Sequence, residues 1–231
     1  PKAALRIPFT LRGHMPVVAA QAGDVRGMFG VDTGARSSLI LNGPFIEKHR
    51  LREKLGAAFD GITGWGIGGA VRAQLVRIPS LQIGTADVTS VVARLSTQTA
   101  GALASDRMDG LIGGQLLARF NVTFDYSRSV MLLEKTAAFA RADRWDGTGM
   151  WLGQRGDIFE VLDVIANGPA ANAGLRVGDE VLAIDGRRAA ALSLPAERLR
   201  LYADDTPRTI ALTVRRGADE KQVTLKLRRL V

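Results

Sequence analysis

Apolar and polar residues alternate through most of the first 135 positions, and a period of two places successive side chains on opposite faces of an extended chain. On that basis the stretches 5–11 (LRIPFTL), 15–20, 26–31, 71–78 and 88–94 read as short strands separated by glycine and polar turns. Helical spacing is rare. One candidate is 115–120 (QLLARF), followed by two alternating arms, NVTFDY and SVMLLE, which predict a hairpin turning at Ser127 and Arg128. The expected class is mainly β. After Glu134 the period fades into KTAAFARADRWDGTG, small and charged, which predicts a linker over 138–146 between one domain at 1–137 and another at 147–231.

Composition changes the picture in what it excludes. The chain has 231 residues, 46% hydrophobic and 23% charged, a globular balance that suits two modest domains. No apolar run approaches the roughly 18 residues of a membrane span, so no transmembrane segment is expected. The sequence starts at Pro1 without a charged-then-apolar leader, which fits a chain whose signal segment has been removed or left out. Cysteine is missing, which rules out disulfides, thiolate nucleophiles and Cys-based metal sites, and only His14 and His49 carry imidazole. No metal and no cofactor are expected. The net charge of +8 divides into 16 basic against 10 acidic residues over 1–137 and 15 against 13 over 138–231. Basic residues such as Arg72, Arg77 and Arg94 alternate with apolar ones as on solvated strand faces, with no aromatic platform beside them. Nucleic acid is therefore not an expected partner.

Within GMFGVDTGARSSLIL, residues 27–41, an apolar strand ends on Asp32, and Thr33, Gly34 and Ala35 follow. The plain reading is a β-turn in which the aspartate caps its own backbone. The chemical reading is a carboxylate held rigidly near a second one, so that the pair shares a proton and activates water against a peptide carbonyl. Downstream, MDGLIGGQLL places Leu111, Ile112 and Gly113 before a short helix and the final hairpin. With the early RIPFTLRGHMPVVAA strands, these pieces over about residues 5–135 resemble the retropepsin-like aspartic proteases. The resemblance implies that Asp32, Thr33 and Gly34 form the catalytic loop, with Thr33 hydrogen-bonding across to a second loop and Gly34 permitting close approach. It also implies homodimerisation, each subunit lending one loop, because the chain contains a single Asp-Thr-Gly and no Asp-Ser-Gly. Asp109 precedes the apolar pair and reads as a turn residue.

Between the two motifs lies GITGWGIGGAVRAQ, residues 61–74, with a formal G-x-G-x-x-G at Gly64, Gly66 and Gly69. A dinucleotide fingerprint needs a helix after it, whereas AVRAQLVRI alternates like a strand, so a glycine-rich hairpin fits better. In a retropepsin-like protein this is the place of the flap, and Thr63, Gly64, Trp65 and Gly66 are its candidate substrate contacts.

The second half, GTGMWLG followed by IFEVLDVIANGPAANAGLRVGDEVLAIDG, resembles a bacterial PDZ domain through most of its length. Gly168 and Pro169 start a short helix that Gly174 ends, and Gly178 with Asp179 turns into the next strand. The resemblance implies peptide capture by strand addition, with a terminal carboxylate on backbone N–H groups. Gly147, Thr148, Gly149 and Met150 occupy the carboxylate loop, whose glycines are expected to leave N–H groups facing an anion. Met150, Trp151 and Leu152 supply the strand, and a helix from Ser193, its N-cap, to about Tyr202 puts Leu199 and Tyr202 on the groove. Each of these apolar residues has a plain alternative role in closing the core, and Trp151 is bulky for its strand.

Ser37 and Ser38 follow the Asp-Thr-Gly, but G-x-S-x-G is absent, and so is the phosphate-loop pattern. The expected function is an aspartic endopeptidase acting as a homodimer on protein or peptide substrates. Its PDZ domain is expected to bind a ligand peptide or regulate access, in a periplasmic or otherwise exported bacterial setting. The competing reading is an inactive protease fold joined to a PDZ scaffold. An intact Asp32, Thr33 and Gly34 favours the enzyme.

Overall fold

The computed structural model describes residues 4–56, 59–66, 69–204 and 206–231. Among these, one compact unit takes 4–56 and 63–143, and a second takes 59–62 and 144–231. Both are built mainly of strands, in keeping with the alternation in the sequence.

The chain up to residue 137 runs β1 (Leu5–Arg12), β2 (Met15–Ala22), β3 (Val25–Asp32), β4 (Leu39–Leu41), α1 (Gly43–His49), α2 (Leu51–Leu55), β5 (Phe59–Gly66), β6 (Gly69–Ile83), β7 (Ala86–Ser96), β8 (Gly110–Gly113), α3 (Gly114–Leu117), β9 (Phe120–Asp125) and β10 (Val130–Lys135), and of β5 only 63–66 belong to the first unit. The ten strands lie in the order β5-β6-β7-β4-β8-β3-β2-β1-β10-β9, and an added pairing of Gln21 with Gln82 and Ala22 with Leu81 brings β2 back onto β6. The six strands from β6 to β2 thereby close on themselves. Phe29, Leu39, Ile46, Leu81 and Ile112 are fully buried in the core they enclose.

Two connections break the antiparallel pattern: β3 runs parallel to β8, and β4 parallel to β7. The chain leaves β3, passes over β8 and returns as β4 on the other side, so β8 is held between the two. The helices α1 and α2 follow at once, burying Phe45, Ile46 and Leu51. They carry too few turns to show a helical period, which is why the sequence pattern misses them. The predicted helix over 115–120 is shorter than expected, since Phe120 already pairs with Lys135 in the β9–β10 hairpin.

Residues 138–143 pack on this first unit. Phe139 meets Phe120 edge-on at 5.4 Å. Asp143 accepts the Val92 N–H on Oδ2 at 2.8 Å and the Arg119 guanidinium on Oδ1 at 2.6 Å, with both side chains almost wholly buried. Among the described residues, no helix is long and apolar enough to cross a membrane.

The second unit contains β11 (Trp145–Asp146), β12 (Met150–Arg155), β13 (Ile158–Val164), α4 (Pro169–Asn172), β14 (Glu180–Ile184), β15 (Arg187–Arg188), α5 (Leu194–Arg200), β16 (Tyr202–Ala203), β17 (Arg208–Arg216) and β18 (Asp219–Leu227). Its main sheet has the order β12-β13-β14-β17-β18, with β15 on β14, and β11 pairs with β16 apart from it. Phe159, Val161, Val181, Ile184, Leu212 and Leu225 form its core. Two features matter for function: β12 is an edge strand, and α5 packs alongside it.

Candidate active site

Asp32 is the last residue of β3 and pairs in register with Gly113 of β8. Its Oδ1 accepts the N–H groups of Gly34 at 2.9 Å and Ala35 at 3.2 Å, so the loop that follows fixes the carboxylate's orientation. The carboxylate is half-buried, while Thr33 and Gly34 are exposed. A rigid acid at a strand end, with one oxygen tied to its own loop, is suited to hold and polarise a water.

The glycines of β8 and the first residue of α3 explain why the loop can lie where it does. Gly114 donates its N–H to the Ala35 carbonyl at 2.7 Å and Gly113 donates to the Ser38 carbonyl at 3.0 Å. A methyl on Gly113 would stand 2.1 Å from the Ser37 carbonyl oxygen and 2.7 Å from that of Ala35. The same holds at Gly110, where it would meet the Ile40 carbonyl oxygen at 2.0 Å. The Leu111-Ile112-Gly113 motif is thus the floor of the Asp32 loop.

Asp109 does more than turn the chain, contrary to the sequence reading. Its Oδ2 accepts the Met28 N–H at 2.7 Å, its N–H donates to the Met28 carbonyl, and its carbonyl accepts the Asn42 N–H. It therefore ties the start of β8 to β3. Only a tertiary contact between residues 81 positions apart shows this.

Thr63, Gly64, Trp65 and Gly66 lie at the end of β5, which pairs with β6 as a hairpin, and the intervening 67 and 68 lie outside the described residues. Strand on both sides removes the dinucleotide reading of the glycine pattern. Thr63 is buried and donates its hydroxyl to the Val71 carbonyl, whereas Trp65 is 60% exposed. Among the described residues, no three His, Cys, Asp or Glu side chains gather as a metal site.

In the second unit the expected carboxylate loop precedes β12, as the sequence places it, but its N–H groups do not face outward. Asp146 Oδ2 accepts those of Thr148 at 3.1 Å and Gly149 at 2.7 Å, and the Thr148 hydroxyl, itself donating to Asp146, accepts that of Met150 at 3.1 Å. Gly147 donates to the Leu201 carbonyl. The expectation of N–H groups left free for an anion is thereby corrected: the preceding aspartate has filled the nest. Burial pushes the Asp146 carboxyl up to about 6, against the lowering pull of the Thr148 and Gly149 hydrogen bonds.

Along the groove, Met150 and Leu152 turn into the core, and Trp151 is half-buried. The helix α5 starts after Ser193 as expected, although the serine side chain makes no cap bond, and it stops at Arg200. Leu199 is 57% exposed on it. Tyr202 lies beyond the helix, on β16, where it stacks on Trp145 at 6.1 Å. A residue the sequence did not single out spans the groove instead: Arg198 donates to the Leu152 carbonyl and lies over the Trp151 ring, 4.4 Å from its centroid.

Residues 147–227 match the PDZ domain family model. No curated protein is significantly similar in sequence. Among solved structures, a retropepsin-like aspartic protease from Rickettsia conorii is 23% identical, with 56% of this chain and 89% of that one covered at a TM-score of 0.39. The retroviral protease-like domain of Ddi1 from Leishmania major is 14% identical over 53% and 93% of the two chains, at 0.35. A serine endoprotease from Yersinia pestis is 13% identical over 99% and 94%, also at 0.39. Residues 147–227 are a PDZ domain, carried behind a mainly β unit.

Proposed function

We propose that the chain is an aspartic endopeptidase whose active form is a homodimer, with a PDZ domain that binds peptide or regulates substrate access. The observation that carries this reading is the Asp32 loop: a half-buried carboxylate at a strand end, oriented by the Gly34 and Ala35 N–H groups and seated on a glycine floor. In a two-fold pair, two such carboxylates share one proton; one accepts a proton from water as it attacks the peptide carbonyl, and the other protonates the developing oxyanion. Thr33 is exposed beside Asp32, the position from which it reaches a second loop. A serine mechanism has less support. Ser37 and Ser38 are buried, and neither hydroxyl has a hydrogen-bond partner, imidazole included, among the described residues.

Cleavage of an unstructured protein at mildly acidic pH tests the assignment. Asp32→Asn is expected to lower kcat/KM on the order of 10²–10⁴-fold, with little change in thermal midpoint, because an amide can neither share the proton nor carry the charge. Undiminished cleavage by the purified variant would remove Asp32 from the mechanism.

A further inference from the structure

The PDZ unit makes internally the contacts an added strand and a terminal carboxylate would need. The edge strand β12 has its Leu152 carbonyl bonded by Arg198 from α5, and the same guanidinium covers the Trp151 face. At the head of the strand, Asp146 and the Thr148 hydroxyl accept the Thr148, Gly149 and Met150 N–H groups. Beneath the Arg198 arm, the Trp151 indole N–H is buried with no hydrogen-bond partner among the described residues. A buried donor without an acceptor marks a place that a ligand carbonyl can fill.

We propose that this groove is latched by Arg198 and selects internal peptide segments carrying an acidic side chain, which draws the guanidinium off Leu152 and frees the edge of β12 for strand pairing. The inference rests on the peptide-binding reading of the PDZ domain and adds the ligand's chemistry to it.

Two steps lead to this choice of ligand. First, a free C-terminus has no prepared seat. The loop N–H groups that would receive it are bonded to Asp146 and Thr148, and the negative charge of Asp146 opposes a second carboxylate there. Second, an incoming strand needs the Leu152 carbonyl, so it must displace Arg198. A neutral strand leaves the guanidinium without the carbonyl it held. A strand with a glutamate or aspartate at the facing position returns a stronger, bidentate partner to the same fork. Edge pairing then supplies the backbone hydrogen bonds common to all sequences, and Arg198 sets which sequences enter.

The test uses the full chain and three libraries of N-acetylated, C-terminally amidated heptapeptides, with the central residue fixed as Glu, Gln or Lys. Binding is read by calorimetry and by the emission of Trp151, with Trp65→Phe and Trp145→Phe removing the other two indoles. The Glu library is expected to bind about tenfold tighter than the Gln library, the difference a charge-assisted pair commonly makes. In Arg198→Met the Gln library gains affinity, because the latch is gone, and the ratio falls to about one. In Arg198→Lys, which keeps the charge without the planar fork, an intermediate ratio remains. The Lys library stays weakest in the parent chain. Amidation leaves affinity for the Glu library unchanged against the free acids.

A preference for Glu that survives in Arg198→Met, with the variant's thermal midpoint showing it folded, overturns the latch and leaves peptide binding standing. Binding that requires the free C-terminal acid overturns the internal-segment choice by showing that ligands displace Asp146. Absence of binding by every library to parent and variants overturns both this proposal and the peptide-binding reading.

Discussion

One half-buried acid shows how local chemistry departs from what composition reveals. Asp146 caps its own loop, and burial raises its carboxyl to about 6 from an ordinary value near 4. The folded chain therefore holds this proton more tightly than the unfolded chain. The stability it contributes is complete below the unfolded value and is lost as pH rises through about 6. Two pH units correspond to at most about 3 kcal/mol. Unfolding followed from pH 4 to 7 is expected to show the parent losing stability relative to Asp146→Asn, which keeps an acceptor oxygen but does not titrate. Parallel curves for the two proteins would contradict the raised value. Sequence shows Asp32, Thr33 and Gly34 because their chemistry is contiguous. It does not show the role of Arg198, since a cross-groove arm exists only once a partner 46 positions away has been met; Asp146 caps N–H groups only two and three residues on, a local pattern that the glycine-rich loop masks.

At the level of elements, the strands of both units were readable because half-buried sheets impose a period of two, while α1 and α2, at seven and five residues, were too short to impose one of 3.6. The connection β3–loop–β4 over β8 was legible only in part. The apolar pair and glycine at 111–113 mark it, but the reason for the glycine is a backbone crossing that no periodicity encodes. The crossing has a measurable consequence. Gly113→Ala brings a methyl to 2.1 Å from a carbonyl oxygen that belongs to backbone on both sides, so the loop must move as a piece. The expected cost is about 3 kcal/mol in stability, accompanied by loss of cleavage as the Asp32 carboxylate shifts. Gly114→Ala is the control, since its methyl would meet the Thr33 carbonyl oxygen at 3.1 Å, a distance that small shifts relieve. Chemical denaturation of both variants checks the contrast; equal stability for Gly113→Ala and the parent would mean that the loop does not rest on β8 as described.

For the whole molecule, the fade of periodicity after Glu134 signals two units, while the packing of Phe139 and Asp143 shows that the first extends to residue 143. Assembly is where the proposed chemistry meets its strictest test. The chain holds one Asp-Thr-Gly, and a proton-sharing pair of carboxylates needs two. If each copy lends one loop, active sites form only by association, and below the dissociation constant the activity per chain falls with dilution. Mixing distinguishes this from surface loss. Asp32→Asn chains fold and associate but bring an amide, so a mixed pair has one carboxylate and is inactive. With a tenfold excess of the variant and random exchange, only about a tenth of parent chains pair with one another, and measured activity should fall to about that fraction. The experiment requires preincubation long enough for subunits to exchange, with serum albumin in place of the variant as the control for bulk protein. Activity that stays constant on dilution and ignores the variant would mean that one chain suffices, and the second carboxylate would then have to be found within it.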